Sequence, residues 1–155
     1  MVVLGKPFRN LALGKTATQV STFSGNVASR AVNGNVNGAL AGASVAQTTA
    51  ATNRWWQVDL GSVKRVEDVE VWNRTDAQAV GWLQNFYVFA SQTPFSGSLS
   101  AILAQPGVTV IHEPGAAGTA KVFDVGVDAR YVRVQLSGTS SLALSEVIVS
   151  GRAVP

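Results

Sequence analysis

The stretch RWWQVDLGSVKRVEDVEVWNRTD, residues 54–76, decides how the chain is read. Trp56, Val58 and Leu60 alternate with Gln57 and Asp59, the period of two that a strand with one buried face requires. Gly61-Ser62 interrupts the run and Lys64-Arg65 comes next, so the pattern predicts two strands joined by a short turn. In the second strand Val69 and Val71 share one face, and Asp68, Glu70 and Trp72 the other. That strand delivers Asn73, Arg74, Thr75 and Asp76 to its end, where a rigid sheet can present polar groups to a ligand. An Arg74–Asp76 ion pair at a turn accounts for the same residues without a ligand.

The surrounding composition agrees with an all-β domain. At 155 residues the chain is one domain, large enough to bury a core without disulfide or metal staples. Apolar residues make up 46% and charged residues only 14%, which excludes a disordered chain and a charge-laced helix bundle. The net charge of +3 is scattered, with no basic run longer than Lys64-Arg65, so a nucleic-acid surface is not expected. The absence of cysteine excludes thiol chemistry and a disulfide framework but leaves the compartment open. No apolar run approaches the roughly 20 residues of a membrane span. The opening MVVLGKPFRN is too short for a secretory signal, so a signal for export would lie outside this sequence.

Outward from the central pair, residues 10–22 read as short extended pieces around Gly14. Residues 25–49 form a long Gly-, Asn- and Ala-rich connection, with only a turn of helix expected at Ala28–Val32. So long a connection inside a compact domain is functional or is held by something else. On the other side, residues 82–91 are a dense aromatic strand buried on both faces. Strands are expected near 100–104, 108–112 and 120–125, with breaks at Pro106-Gly107 and at 114–118. Residues 129–138 and 142–151 alternate cleanly and are expected to form a hairpin. The sum is an eight-stranded antiparallel β-sandwich of jelly-roll type.

Catalytic groups are few. His112 is the single histidine and sits beside Glu113 and Pro114, which leaves no partner for a nucleophilic triad or a His-based metal site. The carboxylates Glu67, Asp68 and Glu70 belong to a solvated strand face beside Lys64 and Arg65, so no glycosidase pair is expected and the chain is read as a non-enzyme. Asn33, Asn35, Asn37, Ser44 and Glu146 supply amides, carbonyls, a hydroxyl and one carboxylate, a set suited to Ca²⁺. An Asn-Gly turn with an unrelated glutamate is the plainer account.

NLALGKTATQ (10–19), ASRAVNGN (28–35), NRWWQVDLG (53–61), VEVWNRTD (69–76), RYVRVQL (130–136) and LALSEVIVSG (142–151) carry a resemblance. In this order the segments resemble the discoidin (F5/8 type C-like) superfamily, and within it the F-type lectins, or fucolectins. The resemblance implies a discoidin-like jelly roll over residues 10–152, preceded by an N-terminal extension, 1–9. It implies a structural Ca²⁺ held by carbonyls of Arg30, Asn35 and Ser145, side chains of Asn33 and Ser44, and the carboxylate of Glu146. The usual Asp of that motif is Asn33 here, one negative charge fewer.

The family's sugar site is a His, an Arg-x-Asp and a second basic residue. In this chain the Arg-x-Asp is Arg74 and Asp76, the His position holds Gln47, and the second basic position holds Gly81. A vicinal cysteine pair is replaced by Ala77-Gln78. Trp82 is then the candidate platform for the C–H face of a sugar, or else a core residue. Phe23 and His112 are candidate rim contacts. The expected function is non-catalytic glycan binding, fucose-type or altered toward galactose or another deoxy-sugar, by a secreted protein. Avidity would come from oligomers or a multidomain parent. The alternative is a discoidin-type protein-interaction or anchoring module with a degenerate sugar site.

Overall fold

The computed structural model describes residues 8–155. Most of the extension 1–9 therefore lies outside the described residues; Arg9 already belongs to the sheet. The strands are β1 (Arg9–Asn10), β2 (Thr16–Gln19), β3 (Ala46–Gln47), β4 (Ala51–Thr52), β5 (Trp55–Asn73), β6 (Gln84–Ser91), β7 (Thr109–Ala116), β8 (Ala120–Leu136), β9 (Thr139–Ser140) and β10 (Ala143–Ala153).

The expected pair of strands in 54–76 is one strand. β5 runs unbroken past Gly61, whose φ of 90° places it in the left-handed region at the position of the expected turn. Its pairing with β8 slips at that point, from Asp59↔Tyr131 to Lys64↔Ala129, so the backbone bulges without reversing. β8 likewise joins the stretches expected as separate strands at 120–125 and 129–138. These two long strands belong to both layers of the sandwich. One layer contains β2, the first half of β5, the second half of β8, β6 and β7. The other contains the second half of β5, the first half of β8, β10 and β1.

The alternation read in the sequence is the alternation of burial. Trp56, Val58, Leu60, Val69 and Val71 are buried, and β6 is buried on both faces through Phe86, Val88 and Phe89. Phe86 meets Phe123 edge-on, with ring centres 5.8 Å apart. Trp56 lies fully inside, where its indole N–H donates to the Ala28 carbonyl at 3.0 Å.

Three further expectations are corrected. In place of the strand expected at 100–104, Leu99–Leu103 is a short helix, α1, started by the Ser98 hydroxyl accepting the Ala101 N–H at 3.2 Å. β7 runs through Pro114-Gly115 instead of ending before them. β8 and β10 do not form a hairpin: β10 pairs with β5, β1 and β3, while β8 pairs with β5 and β6. The short link between them passes through β9, which makes a separate ribbon with β4.

Candidate functional site

β5 ends at Asn73, whose side chain anchors the next segment of chain. Its amide donates to the carbonyls of Val80 and Gly118, both at 2.8 Å. That pins the 3-10 turn Ala77–Trp82 back onto the end of the sheet. The Asn-rich connection closes over the same end through consecutive Asx turns. The Asn35, Asn37 and Ala39 N–H groups donate to the side-chain oxygens of Asn33, Asn35 and Asn37 at 2.9, 3.0 and 3.0 Å. The Thr75 N–H then donates to the Gly38 carbonyl at 2.9 Å. Gly38 is required here, because a Cβ would strike the Asn73 carbonyl and Thr75.

Arg74, Asp76, Gln47 and Trp82 are brought together. Arg74 Nε donates to Asp76 Oδ2 at 2.8 Å, and Nη1 donates to Gln47 Oε1 at 2.8 Å. The guanidinium carbon lies 5.4 Å from the centre of the Trp82 ring, a cation–π distance. Asp76 Oδ2 also accepts the Leu40 N–H at 2.9 Å. These two bonds, that from Arg74 first, hold the Asp76 carboxyl below its ordinary pKa. Among the described residues no hydrogen bond from another residue engages Arg74 Nη2 or Asp76 Oδ1, so the cluster keeps a charged donor and a charged acceptor in reserve. Two neighbouring hydroxyls of a sugar match that pair, and the Trp82 ring offers an apolar surface next to it.

Gln47 departs from its expected role. It is 3% exposed and braces Arg74 from behind. The Arg74–Asp76 ion pair read as the plainer account is also present; it is what orients the guanidinium. Gly81 leaves its side of the site open, with no atom within 4 Å of where a Cβ would stand. Phe23 is exposed, and its backbone N–H donates to the Gln47 carbonyl at 2.9 Å. His112 is elsewhere: its Nε2 is 2.7 Å from Asn85 Oδ1, and its ring stacks on Tyr87 with centres 4.5 Å apart. Glu113 is held by Lys121 and by the Gly115 N–H. Asn73 is read in the sequence as one of the polar groups at the strand end, but its anchoring role and the Leu40 N–H are not.

Part of the oxygen-rich set comes together: Asn33, Asn35 and Ser44 bond one another, and Gly34 between the two asparagines reaches Glu146. Glu146 is fully buried on β10; its Oε2 accepts the Gly34 N–H at 2.7 Å, and its Oε1 has no partner among the described residues. Burial pushes its pKa up to about 7. The Ser44 hydroxyl lies 2.7 Å from the Asn35 carbonyl and 3.1 Å from Asn33 Oδ1. Ser145 Oγ donates to the carbonyls of Val36 and Asn73, both at 3.2 Å. Arg30 lies in the 3-10 turn Ala28–Val32 that enters this loop, with its guanidinium on Asn26. Among the described residues no three His, Cys, Asp or Glu side chains gather, so this would be a mostly neutral oxygen site with one carboxylate. A buried carboxylate with an orphan oxygen, bonded to a loop rich in carbonyl and amide oxygens, fits a hard cation.

Residues 30–134 match the F5/F8 type C family described as NedA-like, galactose-binding domain. The chain is similar to the lectin domain of lectinolysin solved with Lewis B antigen: 35% identity over 94% of this chain and 98% of that one, TM-score 0.81. It is similar to a fucose binding module of Streptococcus pneumoniae, at 32% identity over 97% and 99% of the two chains, TM-score 0.80. A fucolectin from striped bass (Morone saxatilis) serum is 31% identical over 95% of this chain and 48% of its own, TM-score 0.77. No curated protein matches the chain in sequence. The match over residues 30–134 and the lectin-module neighbours together show that this chain belongs to the F5/F8 type C (NedA-like, galactose-binding) domain family.

Proposed function

We propose that the chain is a non-catalytic glycan-binding module whose site is Arg74, Asp76 and Trp82, with Gln47 as the residue that positions Arg74. The observation that carries this reading is the braced guanidinium: Nε and Nη1 are committed to Asp76 and Gln47, and the guanidinium carbon lies 5.4 Å from the centre of the Trp82 ring. A donor fixed in this way loses little conformational entropy when it meets a sugar hydroxyl. Lectin modules similar to this chain bind fucose or Lewis B antigen, which supports a fucose-type or related neutral ligand. With Gln47 buried and Gly81 bearing no side chain, two basic groups expected from the F-type pattern are missing. The specificity is therefore shifted, toward galactose or another deoxy-sugar.

Ca²⁺ is part of the proposal as a structural ion. Glu146, Asn33, Ser44 and the carbonyls of Arg30, Asn35 and Ser145 would hold it, closing the 33–44 loop against β10. It supplies charge compensation for a buried carboxylate and takes no part in contacting the sugar. Glycans of this kind are displayed outside cells, so the module is placed in the extracellular space, where repeated display would raise avidity.

Gln47 also supports a second reading, a protein-anchoring module on the same fold, because its amide oxygen is directed inward to Arg74. Calorimetric titration of L-fucose, D-galactose, L-rhamnose and N-acetylgalactosamine, with Arg74→Ala alongside, separates the two. Heat that disappears in the variant supports the glycan site. A folded protein silent across this panel and a glycan array favours the anchoring module.

A further inference from the structure

The sequence holds two Asn-Gly pairs, Asn33-Gly34 and Asn37-Gly38, both in the loop that closes over the end of the sheet. Such pairs are chemically labile, because glycine has no Cβ to obstruct attack by its own nitrogen on the preceding side-chain amide. The fold treats the two pairs differently.

Asn33-Gly34 is fastened at both reacting groups. The Gly34 N–H donates to Glu146 Oε2 at 2.7 Å. Asn33 Oδ1 accepts the Asn35 N–H at 2.9 Å and the Ser44 hydroxyl at 3.1 Å. Turning the Gly34 nitrogen toward the Asn33 amide breaks the bond to a buried carboxyl oxygen and leaves that oxygen unpaired.

At Asn37-Gly38 both groups are free to react. Asn37 is exposed, its Oδ1 accepts a single bond, from the Ala39 N–H at 3.0 Å, and its Nδ2 donates to no described residue. The Gly38 N–H has no acceptor among the described residues. Gly38 is buried, an unfavourable place for an unpaired donor, and ring closure consumes that N–H. The reaction joins adjacent residues, so burial of Gly38 does not bar it.

We infer that Asn37 is a modification site, a spontaneously deamidating residue that the fold leaves open while it shields the identical pair at Asn33. The Gly38 nitrogen attacks Asn37 Cγ; a C–N bond forms as the bond to Nδ2 breaks, and ammonia departs with the Gly38 proton. Water then opens the succinimide ring at either carbonyl, leaving aspartate or isoaspartate, with no oxidation or reduction. Isoaspartate routes the main chain through Cβ and Cγ and so adds one methylene immediately before Gly38. The chain has no slack there. A Cβ on Gly38 would already strike the Asn73 carbonyl, and the Gly38 carbonyl accepts the Thr75 N–H at 2.9 Å. Two residues further on, the Leu40 N–H holds Asp76, which in turn holds Arg74. Conversion therefore loosens the Arg74 cluster. That consequence rests on the glycan-binding reading; the modification does not.

The full chain and an unstructured peptide of residues 31–43 are incubated side by side at pH 8 and 37 °C and mapped by mass spectrometry. Isoaspartyl methyltransferase labelling separates the two products. The expected result is comparable conversion at both asparagines in the peptide. In the protein, conversion at Asn37 is expected to run tenfold or more faster than at Asn33, each event adding one dalton. Asn37→Ser, which cannot cyclise, should keep whatever sugar affinity it starts with as it ages, while the wild type loses affinity in step with its isoaspartate. Equal rates at the two sites of the folded protein, faster conversion at Asn33, or an Asn37 that stays intact while the peptide reacts each overturns the inference. Modified protein that binds sugar like fresh protein overturns the link to Asp76. Fresh protein silent toward every sugar removes the glycan-binding reading and leaves the modification to be judged by mass alone.

Discussion

Gln47 holds Arg74: a side chain from β3, near the end of the Asn-rich connection, accepts the guanidinium Nη1 at 2.8 Å while being almost wholly buried. Removing that acceptor leaves a buried donor unpaired, at a cost of about 1–3 kcal/mol. Gln47→Leu is therefore expected to lower the melting temperature by several degrees and to weaken sugar binding about tenfold, since Arg74 loses one of its two anchors. Arg74→Ala removes the charged donor itself, worth about 1.5–3 kcal/mol, so binding should fall ten- to hundredfold, and the buried Gln47 oxygen it leaves unpaired should lower stability as well. Thermal denaturation and calorimetry on both variants check the pair; equal binding by wild type and Gln47→Leu contradicts the bracing role.

Gly81 offers space where the F-type pattern has a basic residue. A side chain there meets nothing within 4 Å, and Gly81 does not require a positive φ. Gly81→Arg should fold normally and raise affinity for L-fucose at least severalfold, shifting the preferred sugar of the panel. Unchanged selectivity by calorimetry would mean that this position does not face the ligand.

Glu146 makes stability depend on pH. Its folded pKa, about 7, is raised above its ordinary 4.5 by burial, so the fold favours the protonated form. Its stabilising contribution is complete below pH 4.5 and is lost as pH rises through 7, a change on the order of 3 kcal/mol. Urea denaturation in a chelator should show the protein weaker at pH 8 than at pH 5. Millimolar Ca²⁺ should restore stability at pH 8, by about 2.7 kcal/mol at a hundred times its dissociation constant. Glu146→Gln should flatten the pH profile and remove the Ca²⁺ response.

Gly151 is required by the register of β10. A Cβ there would overlap the Arg65 carbonyl, a backbone atom that cannot step aside, at the point where the β10–β5 pairing shifts. Gly151→Ala should destabilise the protein by about 3 kcal/mol or more, among the larger costs of a single substitution. Chemical denaturation measures it, and a loss under about 1 kcal/mol would show that β10 can slide.

Much of this is legible in the sequence where a single physical period governs it. The buried faces of residues 56–60 and 69–71 arise from alternation alone, because one face of each half-strand meets the core. The continuity of β5 through Gly61 is not legible, since the same Gly-Ser signal marks a bulge and a reversal. Residues 99–103 are too few to show a helical period; only Ser98 as a cap announces them. The hairpin expected between 129–138 and 142–151 fails because nearness in sequence does not say which layer a strand joins. At the site, Arg74 and Asp76 are visible as a strand-end pair. Gln47 reaches the site only through a family resemblance, and its inward direction depends on contacts across the fold that no local pattern encodes.

The passage of β5 and β8 through both layers has a mechanical consequence. Neither layer can detach as a unit, because each shares its two central strands with the other. A module tethered to a surface through its glycan and pulled by its neighbours would resist shear as one block, with no weaker half to peel away. Hydrogen exchange should accordingly find the amides of Val58 and Val71, on opposite sides of the bulge, opening together at the global unfolding free energy.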